Sequence, residues 1–132
     1  MPASERSVEL GLAAAQAAAD KLASDILLLD VSEQLVITDV FLLASAPSDR
    51  QVKAVVDEIE DRLRDLGAKP VRREGQQEAR WVLLDFADIV VHVQHEEERV
   101  FYALERLWKD CPVIPFVDRD AERAAGRNQV AP

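Results

Sequence analysis

Cysteine occurs once in these 132 residues, at Cys111, so the chain cannot close an internal disulfide, a composition that fits a reducing compartment. Glycine occurs only four times, and neither a P-loop nor a G-x-G-x-x-G sequence is present, so a phosphate-cradling loop is hard to build. No apolar stretch reaches the roughly 18 residues that a membrane helix needs. The Ala-rich run from Leu10 to Ala19 is interrupted by Gln16 and follows Glu5 and Glu9, unlike a secretory signal. These absences predict a cytoplasmic protein with no membrane association.

Positive charge is also in short supply, with 16 basic residues against 25 acidic ones and a formal net charge of -9. A surface that neutralises many phosphates needs the opposite balance, so direct, sequence-specific nucleic-acid binding is not expected. An acidic protein can still act on a ribonucleoprotein by meeting a basic protein patch, because opposite potentials steer encounter. The plainer reading is that the charge serves solubility.

What is present is enough apolar residue, 48% of the chain, to close one modest core. One domain over residues 1–116 is expected. Residues 117–132 are charged, with little apolar periodicity, and read as a disordered tail. With Ser7 as N-cap, Val8, Leu12, Ala15, Ala19 and Leu22 recur at helical spacing and predict a first helix ending near Ala23. Ile26–Val31 and Val40–Ser45 are apolar and partly β-branched, as buried strands are. Ser48 and Gln51 form an S-x-x-Q capping box, after which Val52, Val55, Val56, Ile59, Leu63 and Leu66 mark one helical face. Gly67 supplies the left-handed C-terminal residue, and Pro70 prevents continuation. Pro70–Glu74 suits an edge strand.

Arg80–Phe86 and Asp88–Gln94 predict a tight hairpin centred on Phe86 and Ala87. In that register Asp85 faces Asp88, Leu83 faces Val90 and Trp81 faces His92, while Leu84 faces Ile89 and Val82 faces Val91. One face is then wholly apolar. The other mixes apolar and polar groups in a way a helix-covered core does not tolerate. A third helix follows from about Glu96, with Val100, Phe101, Leu104, Leu107 and Trp108 inward, and ends by Cys111 before Pro112. The pattern is α/β: a single domain with a mixed, about five-stranded sheet flanked by helices.

The mixed hairpin face holds the candidate site: Trp81, Leu83, Asp85, Asp88, Val90 and His92. Two carboxylates directly across a hairpin repel, so Asp85 and Asp88 cost stability unless something compensates them. Three readings stand open: a divalent-metal pair, a docking site for basic residues of a partner, or aspartates chosen because they suit tight turns. Trp81 adds a large amphipathic surface of the kind enriched at interface hot spots, or it covers the sheet edge within its own chain. Leu83 and Val90 complete an apolar strip with a polar rim, which another protein or a second copy could cover. His92 and His95 have an H-x-x-H spacing, but on a strand it points them to opposite faces, and no third ligand converges. No metal or cofactor is expected. Cys111 has no partner arrangement for nucleophilic catalysis and reads as core.

Four segments then carry a resemblance: Thr38-Asp39 before a strand; Ser45-Ala-Pro-Ser48-Asp-Arg-Gln51; Trp81-Val-Leu-Leu-Asp85-Phe-Ala-Asp88-Ile-Val-Val-His92; and Arg99-Val-Phe-Tyr102-Ala-Leu-Glu105-Arg-Leu-Trp108. In this order and spacing, from about Ser7 to Phe116, they resemble the ribosomal silencing factor (RsfS/Iojap) family. The resemblance implies a nucleotidyltransferase-like α/β fold, and the chain is not expected to be an enzyme; two copies burying the mixed hairpin face against each other would make the free protein a homodimer. It also implies a translational repressor that binds the large ribosomal subunit through ribosomal protein fourteen and sterically blocks joining of the small subunit. Trp81, Asp85, Asp88 and His92 match the family's motif, and the partner-binding role is carried onto them. Ala46 and Ala87 stand where the family usually has glycine. The alternative is a metal-dependent nucleotidyltransferase using Asp85 and Asp88, although fold does not confer function. Ser45-Ala46-Pro47-Ser48 lacks the Gly-Ser pair such enzymes present to the triphosphate.

Overall fold

Serine hydroxyls start both long helices of the computed structural model, which describes residues 2–120. Helix α1 runs Glu5–Asp20 and is capped by Ser4, whose Oγ accepts the Ser7 N–H at 3.1 Å. The cap expected at Ser7 therefore lies one turn earlier, and Ser7 is buried inside the helix, donating to Asp39 Oδ2 at 2.9 Å. Helix α2, Asp49–Asp65, starts as the sequence predicts: Ser48 Oγ accepts the Gln51 N–H at 3.2 Å, and its hydroxyl donates to Gln51 Oε1 at 3.1 Å. Gly67, at φ +84°, closes the C-terminal end.

The strands are β1 (Ser24–Asp30), β2 (Val40–Ala46), β3 (Arg72–Glu74), β4 (Trp81–Asp85) and β5 (Ile89–His95). They form one five-stranded sheet in the order β1-β2-β5-β4-β3, with β2 and β5 parallel and every other pair antiparallel. The β2-to-β5 crossover carries α2, β3 and β4, giving the mixed α/β domain expected. Edge strand β3 is short and fully exposed, as its charged residues require. The opposite edge is covered: Asp30 N–H donates to the Pro112 carbonyl at 2.8 Å and Ile114 N–H to the Leu28 carbonyl at 2.9 Å.

Both long helices pack on one face of the sheet against Leu28, Leu42, Val82, Leu84, Val91 and Val93. Helix α1 meets it through a small-residue face that the spacing of larger apolar residues did not reveal. Gly11, Ala14, Ala15 and Ala18 are buried, whereas Leu12 is 36% exposed and Leu22 80%. A Cβ at Gly11 would stand 3.2 Å from both Leu28 Cδ2 and Val40 Cγ1, so the close approach selects the small side of the helix.

The opposite face is covered mainly at its β1–β2 end, where Leu29, Phe41, Leu43 and Cys111 pack with Leu104 and Trp108. The third helix expected there is two pieces, α3 (Glu96–Tyr102) and α4 (Leu104–Leu107), separated by Ala103 at φ +45°. That left-handed residue resets the helical phase. Leu104 and Trp108 turn inward as expected, but Val100, Phe101 and Leu107 are 81%, 80% and 73% exposed. No described helix is long and apolar enough to cross a membrane. Within the segment expected as a tail, Asp118 and the Arg119 N–H bond the Gln16 side chain, and residues 121–132 lie outside the described residues.

Candidate docking face

The hairpin that carries the candidate residues turns one residue later than the sequence predicts. Leu83 pairs with His92, Leu84 with Val91 and Asp85 with Val90, leaving the three residues 86–88 as the loop. The expected register is thus displaced by two residues, which corrects the pairing of Asp85 with Asp88, Leu83 with Val90 and Trp81 with His92. An even displacement keeps the faces, so Trp81, Leu83, Asp85, Val90 and His92 still project together, away from α1 and α2. Asp88 leaves that set for the exposed loop.

The physical reason for the displaced turn is local. Ala87 takes φ +73°, and its N–H donates to Asp85 Oδ1 at 2.8 Å, while Phe86 N–H reaches the Ile89 carbonyl at 2.9 Å. Asp85 therefore organises the turn as aspartate does in many tight loops. Arg72, not Asp88, stands opposite it in the β3–β4 register. Of the two alanines in place of the family's usual glycine, Ala87 keeps a glycine-type conformation, and Ala46 has no positive φ.

Burial declines across this face. Phe41 and Leu43 on β2 are closed, Val90 on β5 and Trp81, Leu83 and Asp85 on β4 are half-buried, and Arg72 and Glu74 on β3 are exposed. Beneath Trp81 lies His92, 7% exposed, whose Nδ1 accepts the Trp81 Nε1–H at 3.1 Å. Its ring meets Phe41 edge-on at 5.3 Å, and burial pushes its pKa down to about 4, so near neutrality the imidazole is uncharged and free to accept. On its other side Trp81 meets the tilted ring of Tyr102 of α3 at 4.8 Å. The indole is held between two rings while one side of it stays open.

Sequence reasoning left two members of this face unassigned. Gln94, opposite Trp81, is fully buried, and neither of its amide atoms has a protein partner among the described residues. Arg99 is the buried residue of α3, with Nε on Glu105 at 3.0 Å and Nη1 unpartnered. Strand alternation could have placed Gln94 here; Arg99 gives no such signal, because the arginine sits where an apolar residue is expected. His95 closes the strand as N-cap of α3, accepting the Glu97 N–H at 3.1 Å, and has no metal partner set. Among the described residues the one converging trio of potential ligands is Asp20, Asp118 and Asp120, which includes neither Asp85 nor Asp88.

A half-open sheet face with an anchored tryptophan, an aspartate and an apolar strip has the anatomy of a protein-binding surface. Residues 4–131 match the model of the family described as "Ribosomal silencing factor during starvation". The ribosomal silencing factor RsfS of Bacillus subtilis is 47% identical over 100 residues, covering 76% of this chain and 85% of the relative. The chloroplastic protein Iojap of Zea mays is 34% identical over 107 residues, covering 77% of this chain and 45% of the relative. A crystal structure of a Chromobacterium violaceum protein superposes with a TM-score of 0.75 at 34% identity, covering 77% of this chain and 85% of that one. The chain belongs to the ribosomal silencing factor family, a family named for a regulatory rather than an enzymatic role.

Proposed function

We propose that this protein represses translation in the cytoplasm by binding the large ribosomal subunit through ribosomal protein fourteen and excluding the small subunit. The observation that carries the reading is the row Trp81, Leu83, Asp85 and Val90, half-buried side by side on the sheet face that α1 and α2 leave free. The same row supports self-association of the free protein, so a homodimer would hide the face until the ribosome competes for it. Trp81 is the anchor, fixed from beneath by His92 and from the side by Tyr102. Asp85 and Asp88 offer carboxylates to a basic partner.

No bond is made or broken in this mechanism. A bound protein on a joining surface blocks the other subunit because the two cannot share volume. A stable contact needs on the order of 800 Å² from each side. Sedimentation with isolated large subunits, followed by addition of small subunits, tests the proposal: the protein should travel with large subunits and reduce the joined fraction. Trp81→Ala should weaken that binding about tenfold or more, and Asp85→Lys further, through repulsion of a basic partner. Unchanged co-sedimentation of both variants would remove the site assignment.

A further inference from the structure

Helix α3 is built inside out. Its one buried residue is Arg99, while Val100 and Phe101 stand 81% and 80% exposed on the outer side and Leu107 of α4 73%. This outward display is fixed by polar contacts rather than left to a loose segment. Glu96 accepts the Ser24 hydroxyl at 2.9 Å, Arg80 reaches Glu97 and Glu98 at 3.0 Å each, and Arg99 holds Glu105 at 3.0 Å. Placing an arginine inside and a phenylalanine outside costs stability in water, and the exposed pair gains if another surface covers it.

The patch is continuous with the docking face. Phe101 meets Tyr102 edge-on at 5.0 Å, and Tyr102 in turn contacts Trp81 at a tilt at 4.8 Å, so one aromatic path runs from the sheet to the outer side of α3. A shallow depression of about 500 Å³ lies on that side, lined by Glu96, Glu97, Val100 and Phe101. Two apolar side chains beside the Glu96 carboxylate, which among the described residues meets only the Ser24 hydroxyl, and the Glu97 carboxylate, shared with Arg80, fit a large apolar group next to a lysine or arginine. A second copy of this chain presenting the same patch is the poorer occupant, since it would set Glu96 and Glu97 against their own copies.

We infer that the outer side of α3, centred on Val100 and Phe101 with Glu96 and Glu97 at its rim, is a second docking surface that takes a basic, amphipathic polypeptide segment. The inference deepens the ribosome-binding reading above and would make α3 a co-anchor with Trp81.

Two measurements test it separately from that reading. In the first, amide resonances of the full chain are followed while a synthetic peptide of alternating leucine and lysine is added, with a lysine–serine peptide of equal charge as control. Shifts over residues 96–107 with the first peptide only, lost in the paired variant Val100→Ser, Phe101→Ser, are expected. Shifts elsewhere, or shifts that persist in the pair, overturn the inference. In the second, the pair is compared with Trp81→Ala for co-sedimentation with isolated large subunits, and about tenfold weaker binding of the pair is expected. If Trp81→Ala weakens binding while the pair behaves as the parent, the α3 surface is wrong and the sheet face stands. If the parent itself does not follow large subunits, the ribosomal reading fails, and the peptide titration alone decides α3. A parent dimer that becomes monomeric in the pair would make a second copy the occupant and overturn the assignment to a basic segment. Both substituted side chains are exposed, so the pair should keep the parent's unfolding midpoint.

Discussion

The two faces of one sheet follow opposite rules here. Toward α1 and α2, the strands present Leu28, Leu42, Val82, Leu84, Val91 and Val93, none more than 1% exposed. On the other side the same strands present Phe41, Leu43, His92, Gln94, Trp81 and Leu83, and burial falls away from β2 towards β3. A face that is uniformly apolar and closed contributes to stability alone. A face that buries an imidazole and an unpaired amide, yet leaves an indole and a leucine half in water, gives up stability that apolar residues would have supplied. Such local departures are tolerated where a surface is used, which is why the proposed docking is assigned to the second face and not the first.

The sharpest way to break the comparison is to put a charge on each face. Val91→Asp inserts a carboxylate among apolar side chains with no donor to meet it, and should cost about 5 kcal/mol or enough to unfold the domain, read as loss of the cooperative urea transition. Asp85→Lys, one strand away but on the half-open face, removes the acceptor for the Ala87 N–H and sets a lysine opposite Arg72, and should cost about 1 kcal/mol while the transition stays cooperative. Equal loss in both variants would show that the second face is as closed as the first.

Acidification probes the second face from within. Burial lowers the His92 pKa to about 4 from an ordinary value of 6.5, so the unfolded chain takes up this proton before the native one does. The resulting stability is full above pH 6.5, declines as pH falls, and is lost by about pH 4, for a total of about 3 kcal/mol. Protonation also removes the acceptor for the Trp81 Nε1–H, so the indole proton resonance of the folded protein should shift around pH 4, where the buried imidazole itself titrates. His92→Asn keeps an acceptor without a titrating ring and should flatten the slope between pH 6.5 and 4. A parent protein whose stability is already flat there would deny that the imidazole is buried neutral.

How far the sequence revealed these faces depends on how local the deciding physics is. The capping box at Ser48, the left-handed Gly67, the charged edge at β3 and the alternation of β4 and β5 rest on neighbours within a few residues, and all are present. The phase of α1 was not legible, because Gly11 and its alanines are selected by the distance of the helix from Leu28 and Val40, a tertiary quantity. Nor was the break at Ala103, where nothing in the residue type announces a left-handed backbone and the stripe from Val100 to Trp108 reads as one continuous face. For the candidate site, strand parity placed Trp81, Leu83, Asp85, Val90 and His92 together, and turn geometry removed Asp88 from them. That His92 supports Trp81 from below needed the packing of Phe41 on its other side.

The smallest effect concerns the turn that joins the two faced strands. Ala87 holds φ +73°, a conformation that costs an L-residue about 1–2 kcal/mol and glycine nothing. Ala87→Gly relieves that strain but gives the unfolded chain more freedom, a loss of about 0.4–1 kcal/mol. The balance is a net gain of about 1 kcal/mol or less, visible as a higher urea midpoint with an unchanged slope. Because the Asp85 carboxylate accepts from the residue 87 N–H, which glycine retains, the turn and the strand register should persist and binding to large subunits should not change. A lower midpoint would mean that residue 87 does not take the left-handed conformation, and the two-residue displacement of the hairpin register would lose its cause.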